Sequence, residues 1–410
     1  MFDYPGFFED AMAKLRREQH YRVFRELRRS PGRFPHAAWR AADGTWRDAT
    51  VWCSNDYLGM SQHPAVTGAA HAALLRCGAG AGGTRNISGT TDLLVALEHE
   101  LADWHAKDAA LVFSSGYVAN DTTLATLARA LPGCVVFSDA ANHASMIQGI
   151  RASRQRCVVF RHNDAAHLDA LLGAHDPAVP KLVAFESLYS MDGDIAPLAG
   201  LLAVAKQHGA LTFVDETHAV GVHGPRGGGL LEAHGLLAQA DIVQGGLGKG
   251  VGVVGGFVTG TAATIDFVRS HAPGFIFTTA LPPAVAAAAL ASIRHLKSSG
   301  VERAALMARV ASVRSALVAA RVPVTPTAGQ ILPLVVGEEA ACHALADRLL
   351  DAYGIYLQAI VFPTVPRGAA RLRITPGPLH SDADQVQLVA ALADAWARWP
   401  RPGAGTVRAA

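Results

Sequence analysis

Two short segments of the sequence bring together residue types that can do chemistry. Asp215 and His218 follow the apolar run Leu211–Val214, and Lys249 lies in a glycine-dominated loop after Asp241–Gln244. A lysine can form a Schiff base with an aldehyde cofactor, and an acidic partner can keep a pyridine nitrogen protonated so that the ring accepts carbanion charge. These residue types therefore indicate a site for pyridoxal phosphate (PLP).

Each of these residues also has an ordinary structural explanation. Asp215 and His218 could be a cap and a surface histidine, and Lys249 could be a solvated loop charge. Together, however, they follow two neighbouring predicted strands, and open parallel sheets bind ligands beyond the carboxyl ends of their strands. The combination favours a PLP site.

Strands that alternate with helices must position these residues. Short apolar runs recur from Val51 to about Phe277, which predicts an α/β fold with a mostly parallel sheet covered on both faces. A long helix is predicted from Pro283 through Lys297 to Gly300, because proline opens it, lysine lies in its last turn and glycine follows. The candidate strands include Ala110–Phe113, Cys134–Phe137, Cys157–Phe160, Leu182–Phe185 and Leu211–Val214.

The predicted organisation has four parts. Residues 1–50 are expected to be helical and then irregular, and 51–295 to form a large PLP-binding domain. Residues 296–400 are expected to form a small C-terminal domain with a strand at Ile331–Val336, and 401–410 a disordered tail.

Composition and charge exclude several functional classes. The 410 residues contain no charge-free apolar stretch long enough to span a bilayer, and the N-terminus lacks the pattern of a secretory signal. The formal net charge of +2 gives no global attraction to nucleic acid. Five scattered cysteines without a CxxC pair fit a reducing cytoplasm and argue against a disulfide framework or a metal cluster. We therefore expect a cytoplasmic protein that binds no nucleic acid, membrane or metal.

Glycine motifs that resemble nucleotide-binding sequences lack the required context. Gly78–Gly83 and Gly250–Gly255 both satisfy GxGxxG, but neither follows a strand and opens a helix. Gly248 and Lys249 lack the serine or threonine that follows the lysine of a P-loop. Nucleotide binding is therefore not expected at these segments.

Six segments together resemble the α-oxoamine synthases, and most closely the aminolevulinate-forming members of that family. The similarity extends from about Tyr21 to His380. It implies the fold-type I architecture of PLP-dependent transferases, with a mostly parallel sheet of the seven-stranded type and a smaller C-terminal α+β domain. It also implies a homodimer with active sites at the interface. The segments are WCSNDYLGM (52–60), GAGAGGTRNISGTT (78–91), SDAANHASMIQGIR (138–151), FESLYSMDGD (185–194), DETHAVGVHGPRGGG (215–229) and FPTVPRGAARLRITP (362–376).

The resemblance implies a particular reaction, the condensation of glycine with succinyl-CoA to 5-aminolevulinate, CoA and carbon dioxide. Two alternatives stay open at this point. One is an α-oxoamine synthase with another acyl-CoA or amino acid, like 8-amino-7-oxononanoate synthase or 2-amino-3-ketobutyrate CoA ligase. The other is a catalytically weak relative that binds PLP and regulates.

The resemblance also assigns the cofactor site. Lys249 would hold PLP and act as the base, Asp215 would pair with the pyridine nitrogen, and His218 and Ser190 would contact the phenolic oxygen. His143 would stack on the ring and could assist at the thioester carbonyl. The residues implied at the phosphate are Ser115, Gly116 and Tyr117, together with Thr278 and Thr279 reaching across the dimer.

The substrate residues are implied by the same resemblance. Arg373 would pair with the amino acid carboxylate with support from Asn55, and Thr84 would crowd the Cα substituent and so favour glycine. The residues implied for the acyl-CoA are Arg22, Asn86 and Thr364 at the succinyl group, Ile87 over the acyl chain and Arg156 at a CoA phosphate.

The lysine loop departs from the family pattern. Gly246 stands where family members have the threonine or serine that contacts the phosphate, and Gly248 and Gly250 stand in place of alanines. A lost hydroxyl contact costs about 0.5–1.5 kcal/mol. Additional glycines are expected to loosen the loop.

Overall fold

The computed structural model describes residues 1–398, which form two compact units. The central unit is Asn55–Met307, and the terminal unit is Met1–Ser54 together with 308–398. The predicted tail at 401–410 lies outside the described residues. The domain boundaries predicted near residues 50 and 295 stay predictions.

Helices and strands alternate through the central unit, as the apolar runs predict. None of the helices in the described part of the chain has the length and apolar character needed to cross a membrane. The helices are α1 (Tyr4–Arg17), α2 (Pro64–Cys77), α3 (Asp92–Trp104), α4 (Gly116–Ala130), α5 (Ala144–Ser153), α6 (Ala165–Gly173), α7 (Leu198–Gln207), α8 (Leu230–Ala233), α9 (Ala262–His271), α10 (Pro273–Ile276), α11 (Pro283–Ser298), α12 (Val301–Ala319), α13 (Glu339–Tyr353) and α14 (Asp382–Ala397). The strands are β1 (Leu27–Arg29), β2 (His36–Arg40), β3 (Trp46–Val51), β4 (Ala109–Phe113), β5 (Val135–Asp139), β6 (Arg156–Phe160), β7 (Lys181–Glu186), β8 (Leu211–Asp215), β9 (Ile242–Gly246), β10 (Gly256–Gly260), β11 (Leu332–Gly337), β12 (Ile355–Tyr356), β13 (Ala359–Ile360) and β14 (Ala370–Ile374).

A seven-stranded sheet in the order β4-β10-β9-β8-β7-β5-β6 forms the centre of the central unit. Strand β10 is antiparallel to both of its neighbours, and the remaining pairs are parallel. Successive residues of β4 enter different cores, since Leu111 packs with the α4 and α5 side chains and Val112 packs with α3 and α11. Because successive side chains of a strand point to opposite faces, both faces of the sheet are covered. The predicted mostly parallel sheet is confirmed, and so is the long helix, which is α11.

The strand ends place the chemical groups next to one another. Strand β8 ends at Asp215, and Glu186 at the end of β7 is its register partner. Strand β9 ends at Gly246, three residues before Lys249. The predicted carboxylate and lysine therefore follow adjacent parallel strands, at the same edge of the sheet.

A close helix contact fixes the ends of α4 and α5 relative to each other. Gly149 of α5 lies against the α4 backbone, where a Cβ atom would come within 2.5 Å of the Asp121 carbonyl oxygen. A residue with a side chain cannot approach this closely. The glycine thus brings the first turn of α5 beside the residues of α4 that line the site described below.

The terminal unit differs from expectation in its first fifty residues. After α1 the chain is not irregular, because β1, β2 and β3 form an antiparallel arrangement that β12 extends. The burial of β2 alternates along His36–Arg40, a period-two pattern that the flanking prolines obscure in the sequence. The predicted strand near Ile331 is β11, which pairs with β14 in a second sheet with β13. The smaller α+β part of the predicted fold is therefore confirmed.

We expect Gly149→Ala to destabilise the protein by about 1–3 kcal/mol, because the added methyl overpacks the α4–α5 contact. The matched control is Gly68→Ala on the exposed face of α2, where an added Cβ meets nothing within 4 Å. That change is expected to stabilise by about 0.5–1 kcal/mol through the helical preference for alanine. Urea unfolding of both variants measures the difference, and equal midpoints would contradict the packing account.

Candidate active site

A cavity of about 290 Å³ opens at the carboxyl ends of the central strands. Its lining contains eight of the residues predicted for the site: Asn55, Ser115, Gly116, Tyr117, His143, Asp215, His218 and Lys249. They come from five separate stretches of the chain. The fold therefore gathers most of the predicted cofactor residues into one pocket.

Asp215 is buried at the pocket wall and held from two sides. Its Oδ2 accepts a hydrogen bond from Asn120 Nδ2 at 2.7 Å, and its Oδ1 accepts one from the Thr217 backbone N–H at 2.8 Å. Asn120 is on α4, one turn beyond Gly116, so it lies on the face of the helix that faces the pocket. The carboxylate is thus fixed in orientation before any ligand binds.

His218 is paired with a residue that the sequence patterns did not indicate. The Tyr57 hydroxyl lies 2.7 Å from His218 Nδ1, and both side chains are buried. Tyr57 belongs to the motif that also contains Asn55, another lining residue. This contact orients the imidazole ring of His218 at the pocket wall.

His143 is the N-cap of α5. Its Nδ1 accepts a hydrogen bond from the Ser145 backbone N–H at 3.2 Å and lies 2.7 Å from Ser145 Oγ. Its own backbone N–H donates to Glu186 Oε1 at 2.6 Å. Partial removal from water lowers the pKa of His143, and Lys249 lowers it further while Asp215 opposes them.

Glu186 is a second buried carboxyl group in the pocket lining. Burial raises its pKa well above the usual range, and the neighbouring Asp215 charge raises it further. Both effects favour the uncharged form of the Glu186 carboxyl group.

The start of α4 forms another wall. Ser115 is the N-cap, and its Oγ accepts a hydrogen bond from the Val118 backbone N–H at 3.1 Å. The backbone N–H groups of a first helical turn, together with the positive end of the helix dipole, suit a dianion. Tyr117 follows and presents its ring edge-on to His143, with the ring centroids 6.5 Å apart.

The side chain of Thr217 explains why a glycine occupies position 246. A Cβ atom at this position would come within 2.7 Å of Thr217 Cγ2 and 3.3 Å of Thr217 Oγ1. The Thr217 side chain therefore occupies the space that a larger residue at 246 would need. Its Oγ1 donates to Gln244 Oε1 at 3.0 Å and is itself part of the pocket wall beside Gly116.

The other glycines of the lysine loop permit close backbone packing. A Cβ at Gly250 would lie 2.3 Å from the Val220 carbonyl oxygen, so the two loops touch through their backbones. Backbone hydrogen bonds from Gly252 to Lys249 and from Val253 to Leu247 tie the loop to itself at 2.9 and 2.8 Å. The expected loosening is therefore offset by packing and hydrogen bonding.

Several predicted residues of the central unit lie outside this pocket. Thr84 pairs with Thr279 in an isolated β-bridge and donates through Oγ1 to Asn86 Oδ1 at 2.7 Å. Thr278 and Thr279 line a separate small cavity, and Asn86 lines a larger one with Arg85. The remaining residues outside the pocket lining are Ile87, Arg156 and Ser190.

Three predicted substrate residues belong to the terminal unit. Arg22 and Thr364 are 342 residues apart in the sequence, yet Arg22 Nη2 donates to Thr364 Oγ1 at 3.0 Å. Arg373 is buried on β14, where its register partner is Pro333 of β11. Arg22 and Thr364, which were both predicted to contact the succinyl group, are therefore in contact with each other.

The sequence analysis missed five residues that the structure places in or beside the pocket. The available signals were weak, because each needs the fold to show its partner. Four of them lie within the quoted motifs, and Asn120 has the helical spacing from Gly116 that would place it in the pocket. The five residues are Tyr57, Asn120, Ser145, Glu186 and Thr217.

The sheet order, the two-unit organisation and the pocket lining define a fold-type I PLP-dependent transferase. Residues 47–392 match the family described as aminotransferase class I and II.

Comparison with curated relatives narrows the family. The chain is 55% identical over 396 residues to a 5-aminolevulinate synthase of Rhizobium meliloti, covering 97% of this chain and 98% of that protein. It is 52% identical over 400 residues to the 5-aminolevulinate synthase of Bradyrhizobium diazoefficiens, covering 98% of each. The chain belongs to the 5-aminolevulinate synthases within the class I and II aminotransferase family.

Solved structures agree with this placement. A serine palmitoyltransferase from S. paucimobilis, solved with a PLP adduct of myriocin, superposes with a TM-score of 0.88 at 33% identity. The superposition covers 96% of this chain and 98% of that one. The fold is therefore shared over nearly the whole length.

We expect Gly246→Thr to destabilise the central unit by about 1–3 kcal/mol, because the new Cβ overlaps the Thr217 side chain. Thr217→Ala/Gly246→Thr removes the overlapping atoms and should recover most of that loss. Urea unfolding of both variants, with Thr217→Ala as the reference, checks the coupling. If the double variant is as unstable as Gly246→Thr alone, overlap with the Thr217 side chain is not the cause of the instability.

Proposed function

We propose that this protein condenses glycine with succinyl-CoA to give 5-aminolevulinate, CoA and carbon dioxide, with PLP as its cofactor. The observation that carries the proposal is the pocket in which Lys249, Asp215, His218 and His143 meet at adjacent strand ends. The near-complete match to 5-aminolevulinate synthases supports the substrate pair. When bound, PLP supplies an electron sink for carbanion charge at the glycine Cα.

The residues present fit this cofactor. Gly116 and Gly246 face one another without side chains, since a Cβ on Gly116 would lie 3.6 Å from the Gly246 Cα. This space adjoins the first turn of α4, whose backbone donors at Ser115–Tyr117 would hold the phosphate. Asp215 would keep the pyridine nitrogen protonated, because it is a buried carboxylate already held in position by Asn120.

The remaining cofactor contacts follow from the side chains at the pocket wall. His218 would donate from Nε2 to the phenolic oxygen, since its Nδ1 is engaged by Tyr57. Ser190, in the loop after β7, is proposed as a second donor to that oxygen. His143 would cover one face of the ring. Lys249 would hold the cofactor through Nζ and, when released, would take the proton from the glycine Cα.

Glycine selection is assigned to three residues. Arg373 would bind the carboxylate, a task for which a guanidinium provides two parallel donors, and Asn55 would support it. Thr84 would restrict the space beside the Cα, and its hydroxyl is already oriented by the bond to Asn86. Amino acids larger than glycine are expected to be poor substrates for this reason.

Succinyl recognition is assigned to the paired residues of the terminal unit with help from Asn86. Arg22 is a cation already oriented by the hydroxyl of Thr364 at 3.0 Å, so it is arranged to receive a carboxylate. Ile87 is proposed to pack on the acyl chain and Arg156 to meet a CoA phosphate. Both side chains are exposed, which leaves them accessible to a substrate.

We propose that the enzyme works as a homodimer in the cytoplasm. Phe277 is 80% exposed and directly precedes Thr278 and Thr279, the residues assigned to the partner's phosphate site. The five cysteines are unpaired thiols, which supports a reducing compartment.

We expect Lys249→Ala to abolish formation of 5-aminolevulinate and the visible absorbance of lysine-linked PLP. The control is Lys206→Ala, at an exposed position on α7, which should retain both. CoA release and aminoketone formation from glycine and succinyl-CoA provide the assay. A wild-type protein that binds PLP through Lys249 but yields no 5-aminolevulinate would favour a relative with another acyl-CoA or amino acid.

We expect Arg22→Ala to raise KM for succinyl-CoA by about tenfold to a hundredfold, since a charge-assisted hydrogen bond contributes about 1.5–3 kcal/mol. KM for glycine should stay unchanged. Arg40→Ala is a suitable control, because Arg40 pairs with Glu26 on the surface. Steady-state kinetics with succinyl-CoA and with an uncharged acyl-CoA measure the effect, and an equal loss for both would contradict the assignment.

A further inference from the structure

The two nitrogens of the His143 ring have different surroundings, and this difference defines the proton position on the ring. The Ser145 backbone N–H lies 3.2 Å from Nδ1, and a backbone N–H can only donate. Nδ1 must therefore present a lone pair in the direction of α5. The role of His143 as N-cap of that helix consequently requires one tautomer.

A buried chain of polar side chains supports the same choice. Asn120 and Ser145 are at most 2% exposed, and Asn120 Nδ2 lies 2.7 Å from Asp215 Oδ2 and 3.0 Å from Ser145 Oγ. A carboxylate only accepts hydrogen bonds, so the NH₂ side of the Asn120 amide faces Asp215. Its second hydrogen then points to Ser145 Oγ.

The direction of the last bond in the chain follows. Ser145 Oγ accepts from Asn120 and keeps its own hydrogen, which it can donate to His143 Nδ1 at 2.7 Å. With that hydrogen directed to Nδ1, the backbone and the side chain of Ser145 both donate to one nitrogen. A proton on Nδ1 would face the backbone N–H of Ser145 and lose that bond.

We infer that the α5 cap and the Asn120–Ser145 chain hold His143 as the neutral imidazole protonated on Nε2. Burial lowers the pKa of His143, Asp215 raises it and Lys249 lowers it, and the net direction is downward, toward the neutral ring. The neighbouring Glu186 takes a hydrogen bond from the His143 backbone, not from the ring. Asn120 and Ser145 are therefore positioning residues for His143.

This inference deepens the proposed function, on which its catalytic consequence rests. A neutral ring with its proton on Nε2 is a hydrogen-bond donor on the edge opposite the α5 cap. It can donate to the thioester carbonyl oxygen as negative charge develops there, as an oxyanion-hole donor does. The same ring cannot take the proton from glycine, because Nε2 carries hydrogen and Nδ1 is engaged. The base is therefore Lys249 alone.

The test is the tautomer of His143 in the PLP-loaded wild-type enzyme, measured from nitrogen–hydrogen correlations of ¹⁵N-histidine-labelled protein. The spectrum of His143→Gln identifies the signals among those of the 18 histidines. We expect an unprotonated Nδ1 and a protonated Nε2 at neutral pH. A protonated Nδ1, or an imidazolium, would overturn the inference.

Two serine variants separate the positioning role from a structural one. Ser145→Ala removes one of the two donors to Nδ1, so the His143 signals should shift toward mixed tautomers and kcat should fall about fivefold to tenfold, the weight of one hydrogen bond. Ser153→Ala is the control, since Ser153 is buried on the same helix and donates to the Ile150 carbonyl instead. Equal effects of the two variants on the His143 signals would overturn the assignment of Ser145.

The outcomes distinguish this inference from the proposed function. The tautomer is measured without turnover, so it stands or falls independently of the substrate pair. An Nε2-protonated His143 in an enzyme that makes no 5-aminolevulinate would retain the inference on the ring while rejecting the proposed reaction.

Discussion

The hydrogen bond between Asn120 Nδ2 and Asp215 Oδ2 connects the elements on which the site depends. It links α4 to the end of β8, and through Ser145 it reaches the cap of α5. Gly149 lets α5 lie directly on the α4 backbone, which brings Ser145 within reach of Asn120. Asn120 thereby orients the Asp215 carboxylate at the end of β8 and, through Ser145, the His143 ring at the start of α5.

Close backbone packing provides the second constraint. Gly246 leaves room for the side chain of Thr217, and Gly250 lies against the carbonyl of Val220, so the loops after β8 and β9 pack closely. Packing at this density resists displacement, because an atom added at Gly250 must push backbone rather than a flexible side-chain end. Lys249 is therefore placed by its neighbours in the chain. The departures of this loop from the family pattern fit one another sterically.

The sequence predicted the reactive residues of this site better than the residues that orient them. Lys249, Asp215 and His218 could be recognised because strand ends and residue types are local properties of the chain. Tyr57 could not, since its role depends on His218, which lies 161 residues away. The strands between Leu27 and Val51 were missed for a related reason, because short strands interrupted by prolines lack a long periodic signal. Contacts between residues that are far apart in the sequence can be identified only once the fold is known.

The distribution of charge in the pocket follows from the register of two strands. Glu186 and Asp215 are partners at the ends of β7 and β8, and two buried carboxyl groups at this separation cannot both ionise without a large cost. Burial and the neighbouring Asp215 raise the pKa of Glu186, whereas the Asp215 carboxylate oxygens accept hydrogen bonds from Asn120 and the Thr217 N–H. Glu186 accepts from the His143 backbone and not from its ring. The pairing of the two strand ends therefore favours the uncharged form of Glu186 beside the carboxyl group assigned to the cofactor nitrogen.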